Sequence, residues 1–235
     1  MMSRLITEGD RTGILPAMWP GLAPTVTYRS ECPRCGRPTV ACWCAWLRPF
    51  RPRTRVVILQ HPRERTKPIG SGRMAHLSLL GSSLHVGVRF DDDPAVARAL
   101  GDPEAPAVLL YPGPNVPAIE TLPRNVPRTL VVVDGTWRTS RTVVRLNRVL
   151  QALPRVRLDP TTPSEYRIRS QPQPDFVSTV EALRLSLRAL EGDDPRFDGL
   201  LEPFRAMIRM QLEFQARAAR GDPDVPRYPS RRPRA

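Results

Sequence analysis

Four cysteines lie within thirteen residues, at Cys32, Cys35, Cys42 and Cys44, and the sequence contains no other cysteine. In a chain without a secretory signal, such a cluster favours metal binding over disulfides. Four thiolates around Zn²⁺ form a closed structural site that leaves no open position for catalysis. The second pair is C-x-C, tighter than the C-x2-C of common zinc ribbons, so an iron–sulfur cluster and free thiols remain alternatives to zinc.

The segment LVVVDGTW (130–137) is the second candidate for chemistry, because Asp134 follows an apolar run typical of a buried strand. Ligands of open α/β sheets bind outside the carboxyl ends of the strands, which is where this carboxylate is predicted to lie. Gly135 would permit a sharp turn or a close backbone approach to a ligand. In the alternative interpretation, Asp134 or Thr136 only caps the helix that begins at Trp137.

Two further segments repeat parts of this pattern. PAVLLYPGP (106–114) runs from a predicted strand into a rigid loop with Tyr111, Pro112 and Gly113. FVSTVEAL (176–183) has Ser178 three residues before Glu181, a capping-box pattern that by itself explains both residues. The three histidines, at positions 61, 76 and 85, show no metal-ligand spacing and are interpreted as structural.

The charge distribution indicates a polyanionic partner. The 235 residues include 36 Lys or Arg and 23 Asp or Glu, a net charge of +13. Residues 28–73 carry a net +9 and residues 138–169 a net +6, whereas the remainder is slightly acidic. On the helix predicted after Trp137, Arg138, Arg141 and Arg145 share one face. Such clustering favours nucleic acid as a partner, with a solvated surface as the alternative for any single arginine.

Apolar runs and turn signals predict an α/β domain with a mostly parallel sheet flanked by helices. The strands are expected at 54–60, 85–90, 106–111 and 129–134, and the helices at 73–80, 137–150, 178–191 and 198–219.

The chain is expected to divide into a flexible N-terminal arm (1–27), a four-cysteine module (28–53), the α/β domain (54–219) and a disordered tail (220–235). No apolar stretch is long enough for a membrane span, and the N-terminus has no signal-peptide pattern, so a cytoplasmic protein is expected.

Together the motifs resemble the DTW-domain family. DGTW at 134–137 is similar to that family's D-x-T-W signature. Four more blocks occur in the family's order: CPRCGRPTVACWC (32–44), ILQHPRERTKPIGSGRMAHLSL (58–79), LLYPG (109–113) and STVEAL (178–183). The resemblance covers about residues 28–190, with Ser140 in place of the usual alanine.

The resemblance implies a tRNA-uridine aminocarboxypropyltransferase with a SPOUT-like sheet, for which a trefoil knot is an open alternative. Such enzymes transfer the 3-amino-3-carboxypropyl group of S-adenosylmethionine to N3 of a uridine and release methylthioadenosine. A SPOUT-like RNA methyltransferase and a non-catalytic, zinc-dependent RNA-binding protein remain alternatives. The oligomeric state stays open, as does the position of the modified uridine.

Residue by residue, the resemblance implies three roles. The residues expected to take part in catalysis are Asp134, Thr136 and Trp137. Asp134 would act either as a base of raised pKa or as a group that orients the N3–H. The donor is expected to contact Leu110, Tyr111, Pro112, Gly113, Gly135, Ser178, Thr179 and Glu181. RNA is expected to contact Arg63, Lys67, Arg73, Arg138, Arg141 and Arg145, and the carboxylate of the donor is an alternative partner for the first three.

Overall fold

The computed structural model describes residues 30–65, 67, 70–159, 164–165 and 177–222. The predicted N-terminal arm and all but the first three residues of the predicted tail lie outside these ranges, and the division of the chain into four parts stays a prediction. Over the described residues, no helix is long and apolar enough to cross a bilayer.

The strands are β1 (Arg55–Gln60), β2 (Ser83–Val86), β3 (Ala107–Leu110), β4 (Thr129–Asp134) and β5 (Arg155–Val156). The helices are α1 (Pro62–Arg65), α2 (Ser71–Ser78), α3 (Pro94–Leu100), α4 (Trp137–Leu146), α5 (Arg148–Gln151), α6 (Thr179–Glu191) and α7 (Glu202–Ala219). Short 3-10 helices span Thr39–Ala41, Cys44–Trp46, Ile119–Thr121 and Pro195–Leu201.

The five strands form one sheet in the order β2-β1-β4-β3-β5, and every pairing is parallel. The predicted α/β class with a parallel sheet is therefore confirmed. The β1–β4 register runs from Arg55 opposite Thr129 to Gln60 opposite Asp134. Two polar residues thus end these two neighbouring inner strands side by side.

The sheet is covered on both faces, which explains the continuous apolar runs in its central strands. Val56 and Ile58 pack into one buried cluster, together with side chains of α2, α6 and α7. Val57 and Leu59 pack into the other cluster, with side chains of α3, α4 and α5. Trp43, Leu47 and Phe50 of the cysteine-containing segment belong to the first cluster, so this segment shares a core with the α/β domain.

The chain leaves β1 and β4 in opposite directions, and this decides where a ligand can bind. After β1 it passes through α1 and α2 to β2 at one edge, and after β4 it passes through α4 and α5 to β5 at the other edge. We refer to the region outside the carboxyl ends of β1 and β4, where the two connections diverge, as the switch crevice. In open α/β sheets this topological switch point is the usual ligand site.

Several elements differ from the sequence-based predictions. Strand β2 lies earlier than the predicted 85–90, and both α3 and the two-residue β5 were not predicted. The helix predicted over 137–150 is broken at Asn147, whose buried side chain bonds the backbone of Val88, Phe90 and Val143. The last predicted helix begins later, at Glu202, because a 3-10 turn precedes it.

Candidate active site

Asp134 is the centre of a buried polar cluster in the switch crevice. Only 4% of the residue's surface is exposed to solvent. Its Oδ2 accepts a hydrogen bond from Gln60 Nε2 at 2.8 Å, and its Oδ1 accepts one from Thr179 Oγ1 at 2.5 Å. Each carboxylate oxygen is therefore already bound by a side chain from a different element, β1 in one case and α6 in the other.

The first turns of α2 and α6 close the cluster. The backbone N–H of Thr179 donates to Ser71 Oγ at 3.1 Å, which joins the two helix starts. A Cβ built on Gly72 would lie 2.5 Å from Asp134 Oδ2, so any other residue here would force the carboxylate or the helix to move. Since helix N-termini carry partial positive charge, two of them near one carboxylate favour its ionised form.

Burial nevertheless raises the pKa of Asp134, and this is the largest effect on the group. The hydrogen bonds from Gln60 and Thr179 oppose the increase, while the carboxylate of Glu64 adds to it. Glu64 is itself buried and forms an ion pair with Lys67. A carboxylate in this environment is held in one position and is tightly coupled to its surroundings.

The cap of α4 is Thr136, not Asp134. The Thr136 hydroxyl accepts from the backbone N–H of Thr139 at 3.3 Å. A side chain at position 135 would clash with α4, because a Cβ on Gly135 would lie 2.6 Å from Thr139 Oγ1. The alternative that Asp134 only caps this helix is wrong, whereas a capping function for Thr136 is confirmed.

The loops after β3 and β4 meet through an aromatic stack. The rings of Tyr111 and Trp137 lie 5.4 Å apart with planes 11° from parallel. Arg141 lies over Trp137 at 5.4 Å, and Arg155 lies over Tyr111 at 5.7 Å. Burial raises the pKa of Tyr111, with both arginines opposing the increase. The four side chains form one layered wall beside the crevice.

The other residues expected to contact the donor lie at the strand ends and at the start of α6. Leu110 ends β3, followed by exposed Pro112 and half-buried Gly113. Ser178 caps α6 in a capping box with Glu181. Glu181 is buried, and its carboxylate also accepts from Ser164 Oγ and from the backbone N–H of Glu165. A structural function therefore explains Glu181, and its contact with a donor stays a prediction.

The predicted RNA-binding residues fall into two groups. Arg138, Arg141 and Arg145 follow one side of α4, as predicted from the helical spacing. Arg63 is exposed on α1, and Lys67 pairs with Glu64.

Arg73 has an internal function. Its guanidinium donates to the carbonyl of Arg34 at 2.8 and 3.2 Å.

The four cysteines converge as the spacing predicts. Their Sγ atoms all lie within 4.8 Å of one another, and the pairs Cys32–Cys44 and Cys35–Cys42 are 3.8 Å apart. Backbone N–H groups lower the pKa of the Cys32 thiol to about 6, and burial raises the pKa of the Cys35 and Cys44 thiols. The cluster is compatible with a single metal ion.

Two arginine contacts connect this cysteine cluster to the crevice. Arg37 donates to the carbonyl of Lys67, and Arg73, one residue after Gly72, donates to the carbonyl of Arg34. Arg34 and Arg37 lie on either side of Cys35 and Gly36. The turn that carries the first two cysteines is therefore bound to both the loop before α2 and the start of α2.

Two clefts lie outside the Asp134 cluster. One of about 580 Å³ lies along α6, where Glu181 and Arg184 contribute to its lining, and the described residues that line it do not include Asp134. The other, about 670 Å³, is lined by Arg89, Arg145 and Arg148 at the α4–α5 junction. The Asp134 hydrogen bonds and the strand order both point to the carboxyl ends of β1 and β4 as the candidate site.

Sequence reasoning did not identify Gln60, Ser71 or Gly72 as members of the site. Gln60 left a detectable signal, because it is a polar residue at the end of an apolar strand, as Asp134 is. Ser71 and Gly72 left none, because their contacts depend on how α2 packs against the sheet.

Comparison with known proteins supports one family. The DTW domain model matches residues 29–212. The mouse protein tRNA-uridine aminocarboxypropyltransferase 2 is 29% identical over 216 residues, which cover 89% of this chain and 72% of the relative. The protein of the same name from Drosophila melanogaster is 32% identical over 194 residues, which cover 79% of this chain and 76% of the relative.

A solved structure, that of the SAM-dependent rRNA:acp-transferase Tsr3 from Vulcanisaeta distributa, has a TM-score of 0.43 and 19% identity, covering 72% of this chain and 84% of that one. It is too distant to support an inference about this chain. The domain model, by contrast, spans most of the sequence and includes the cysteine cluster, the Asp134 cluster and most of α7. The chain therefore belongs to the DTW-domain family.

Proposed function

We propose that this protein is a tRNA-uridine aminocarboxypropyltransferase. The observation that carries the proposal is the match of the DTW domain over residues 29–212, together with relatives of that name aligned over most of the chain. The position of Asp134 in the switch crevice is consistent with it. The exposed arginines of α4 (Arg138, Arg141 and Arg145), with exposed Arg63 on α1, suit a tRNA substrate. Such a substrate also fits the cytoplasmic location expected from the sequence.

S-adenosylmethionine, when bound, would supply an electrophilic carbon next to its sulfonium sulfur. We expect the residues around the ends of β3 and β4 to hold it, with Tyr111 and Gly113 on one side and Gly135 on the other. Ser178 and Thr179 would lie at its opposite border. Three of these positions belong to loops at the carboxyl ends of strands, as ligand-binding residues in such sheets do.

Asp134 acts in this proposal as a positioning residue. Both of its oxygens already accept hydrogen bonds, and Gly72 packs against one of them. A carboxylate held in this way fixes Gln60, Thr179 and the first turns of α2 and α6 relative to β4. Correct placement of the reacting groups supplies up to roughly 7–11 kcal/mol of rate acceleration in well-oriented cases.

The geometry of the crevice must also determine which carbon of the sulfonium is attacked. The methyl carbon and the aminocarboxypropyl carbon are bonded to the same sulfur, so the pocket has to present the second one to N3. Two arginines lie over the Tyr111–Trp137 stack, Arg141 over Trp137 and Arg155 over Tyr111. We propose that this wall excludes the orientation that would transfer methyl.

For the cysteine cluster we propose structural zinc. In a tetrahedral site with Zn–S bonds of about 2.3 Å, neighbouring sulfurs are about 3.8 Å apart. Two of the sulfur pairs have this spacing. Four thiolates would saturate the ion, so its function would be to hold Arg34 and Arg37 in position.

The test is the product formed on tRNA. Purified protein is incubated with unmodified tRNA and S-adenosylmethionine labelled in one preparation at the methyl and in another at the aminocarboxypropyl chain. We expect label in uridine only from the second preparation, with methylthioadenosine as the by-product. Methyl label in RNA would identify a methyltransferase instead, and tRNA binding without either label would identify a non-catalytic RNA-binding protein.

A further inference from the structure

His61 lies in the switch crevice beside Asp134, although the sequence pattern assigned it only a structural function. It directly follows β1, and its backbone N–H donates to the Asp134 carbonyl at 2.9 Å. The β1–β4 pairing thus continues one residue past the last strand position. The residue is 9% exposed.

The side-chain partners of His61 differ from those of the other histidines. His76 Nδ1 bonds Ser82 Oγ at 2.9 Å, and His85 Nε2 bonds Ser83 Oγ at 3.0 Å. His61 Nδ1 accepts only from the backbone N–H of Arg63, at 3.2 Å. Within the described part of the chain, no hydrogen bond is made by His61 Nε2.

These contacts define the protonation of the ring. Burial lowers the pKa of His61, and the cations of Arg63 and Lys67 lower it further, against the opposing effect of Glu64. The imidazole is therefore neutral near pH 7. Because Nδ1 accepts a hydrogen bond, the single ring proton lies on Nε2, which is left as a donor.

The proposed reaction needs a donor of this kind. The N3 proton of the uridine is released to solvent, N3 attacks so that the N3–C bond forms, and the S–C bond breaks with its electron pair staying on sulfur. Loss of this proton develops negative charge on N3 and on the uracil carbonyl oxygens before the bond to carbon is complete. Each oxygen of Asp134 already accepts one hydrogen bond, and an ionised carboxylate would repel that charge, whereas a neutral imidazole N–H stabilises it.

We propose that His61 is a catalytic residue whose Nε2–H donates a hydrogen bond to a carbonyl oxygen of the target uracil as N3 is deprotonated. The proposal rests on the proposed aminocarboxypropyl transfer. It places a donor at the end of β1 and a positioning carboxylate at the end of β4, on the two sides of the switch point. Removing one such donor typically costs about 10²–10³-fold in kcat.

The test compares His61→Leu with His61→Gln and a control, His76→Gln, on full-length protein. Single-turnover rates are measured on tRNA with uridine and on the same tRNA with 5-fluorouridine, whose N3 is more acidic. We expect His61→Leu to lose about 100-fold or more on uridine. The loss should be clearly smaller on 5-fluorouridine, because less charge stabilisation is needed, and glutamine should restore part of the rate through its amide N–H. The control should stay within about twofold.

The affinity of each variant for tRNA and for S-adenosylmethionine, and its melting temperature, are measured to distinguish a catalytic defect from a binding or folding defect. If His61→Leu is unstable, His61→Asn serves instead, because its Oδ1 can keep the Arg63 contact while its shorter side chain cannot reach the Nε2 position. Equal losses on both RNAs, or full activity of the variants, would overturn the assignment of His61 alone. A wild-type protein that transfers no aminocarboxypropyl group would overturn the proposed function as well.

Discussion

Gly72→Ala tests whether the Asp134 carboxylate is enclosed as the structure shows. The new methyl carbon would lie 2.5 Å from Oδ2 and 2.6 Å from Cγ of Asp134. Non-bonded carbon atoms in favourable contact lie about 3.5–4.0 Å apart, so the helix or the carboxylate must move by about 1 Å. Such overpacking costs about 1–3 kcal/mol, against which alanine returns about 1 kcal/mol of helix propensity. The free energy of unfolding should therefore fall by up to about 2 kcal/mol.

The effect on activity should be larger than the effect on stability. Asp134 is bound to Gln60 and Thr179, so a shift of the carboxylate moves the ends of β1 and α6 as well. A misplacement of about 1 Å commonly costs about 100-fold in rate. We therefore expect kcat for aminocarboxypropyl transfer to fall about 100-fold while tRNA affinity is unchanged.

Gly70→Ala is the matched control. A Cβ at position 70 would meet nothing closer than 3.4 Å, and its backbone conformation is one that alanine adopts. Its only expected cost is at the helix cap, up to about 1 kcal/mol. Activity would be compared by single-turnover kinetics and stability by urea unfolding. If Gly72→Ala kept the wild-type rate and stability, the carboxylate would not be enclosed, and its positioning function would be refuted.

Three other outcomes are expected. Thr179→Val removes a hydrogen-bond donor to Asp134, so it should raise the pKa of that carboxyl further and lower the free energy of unfolding by about 1.5–3 kcal/mol in urea unfolding. Thr179→Ser keeps the hydroxyl and should retain most of the stability, and equal losses in both variants would argue against the hydroxyl contact. Chelation of metal should lower both the melting temperature and transfer activity, and Zn²⁺ but not Mg²⁺ should restore them; an unaffected chelated protein would exclude a structural metal. Arg145→Ala should reduce by about one the slope of log affinity for tRNA against log salt, and exposed Arg209→Ala on α7 should not; equal slopes would remove α4 from the RNA contact.

Local patterns were sufficient to predict much of this molecule. Apolar runs with β-branched residues identified the central strands, since a strand covered on both faces is apolar along most of its length. The capping box predicted the start of α6, because Ser178 and Glu181 satisfy orphan N–H groups within four residues of one another. Cysteine spacing predicted that the four sulfurs converge, because one short loop and one turn span the whole cluster.

Local patterns failed where a distant partner decides. Asn147 breaks a helix that its own neighbours favour, because its side chain satisfies backbone groups of Val88 and Phe90 some sixty residues away in the chain. Likewise, two-residue β5 has no detectable pattern and exists because it pairs with β3.

The sequence by itself determined which groups are available for chemistry: a cysteine cluster, a carboxylate after a core strand, and two basic blocks. Only the tertiary structure decided what surrounds them. Strand order placed Gln60 and His61 beside Asp134, and the packing of α2 and α6 brought Gly72 and Thr179 into contact with its carboxylate. The pKa of a group and the partners of its atoms depend on desolvation and on contacts between residues far apart in the chain, and no local pattern encodes these.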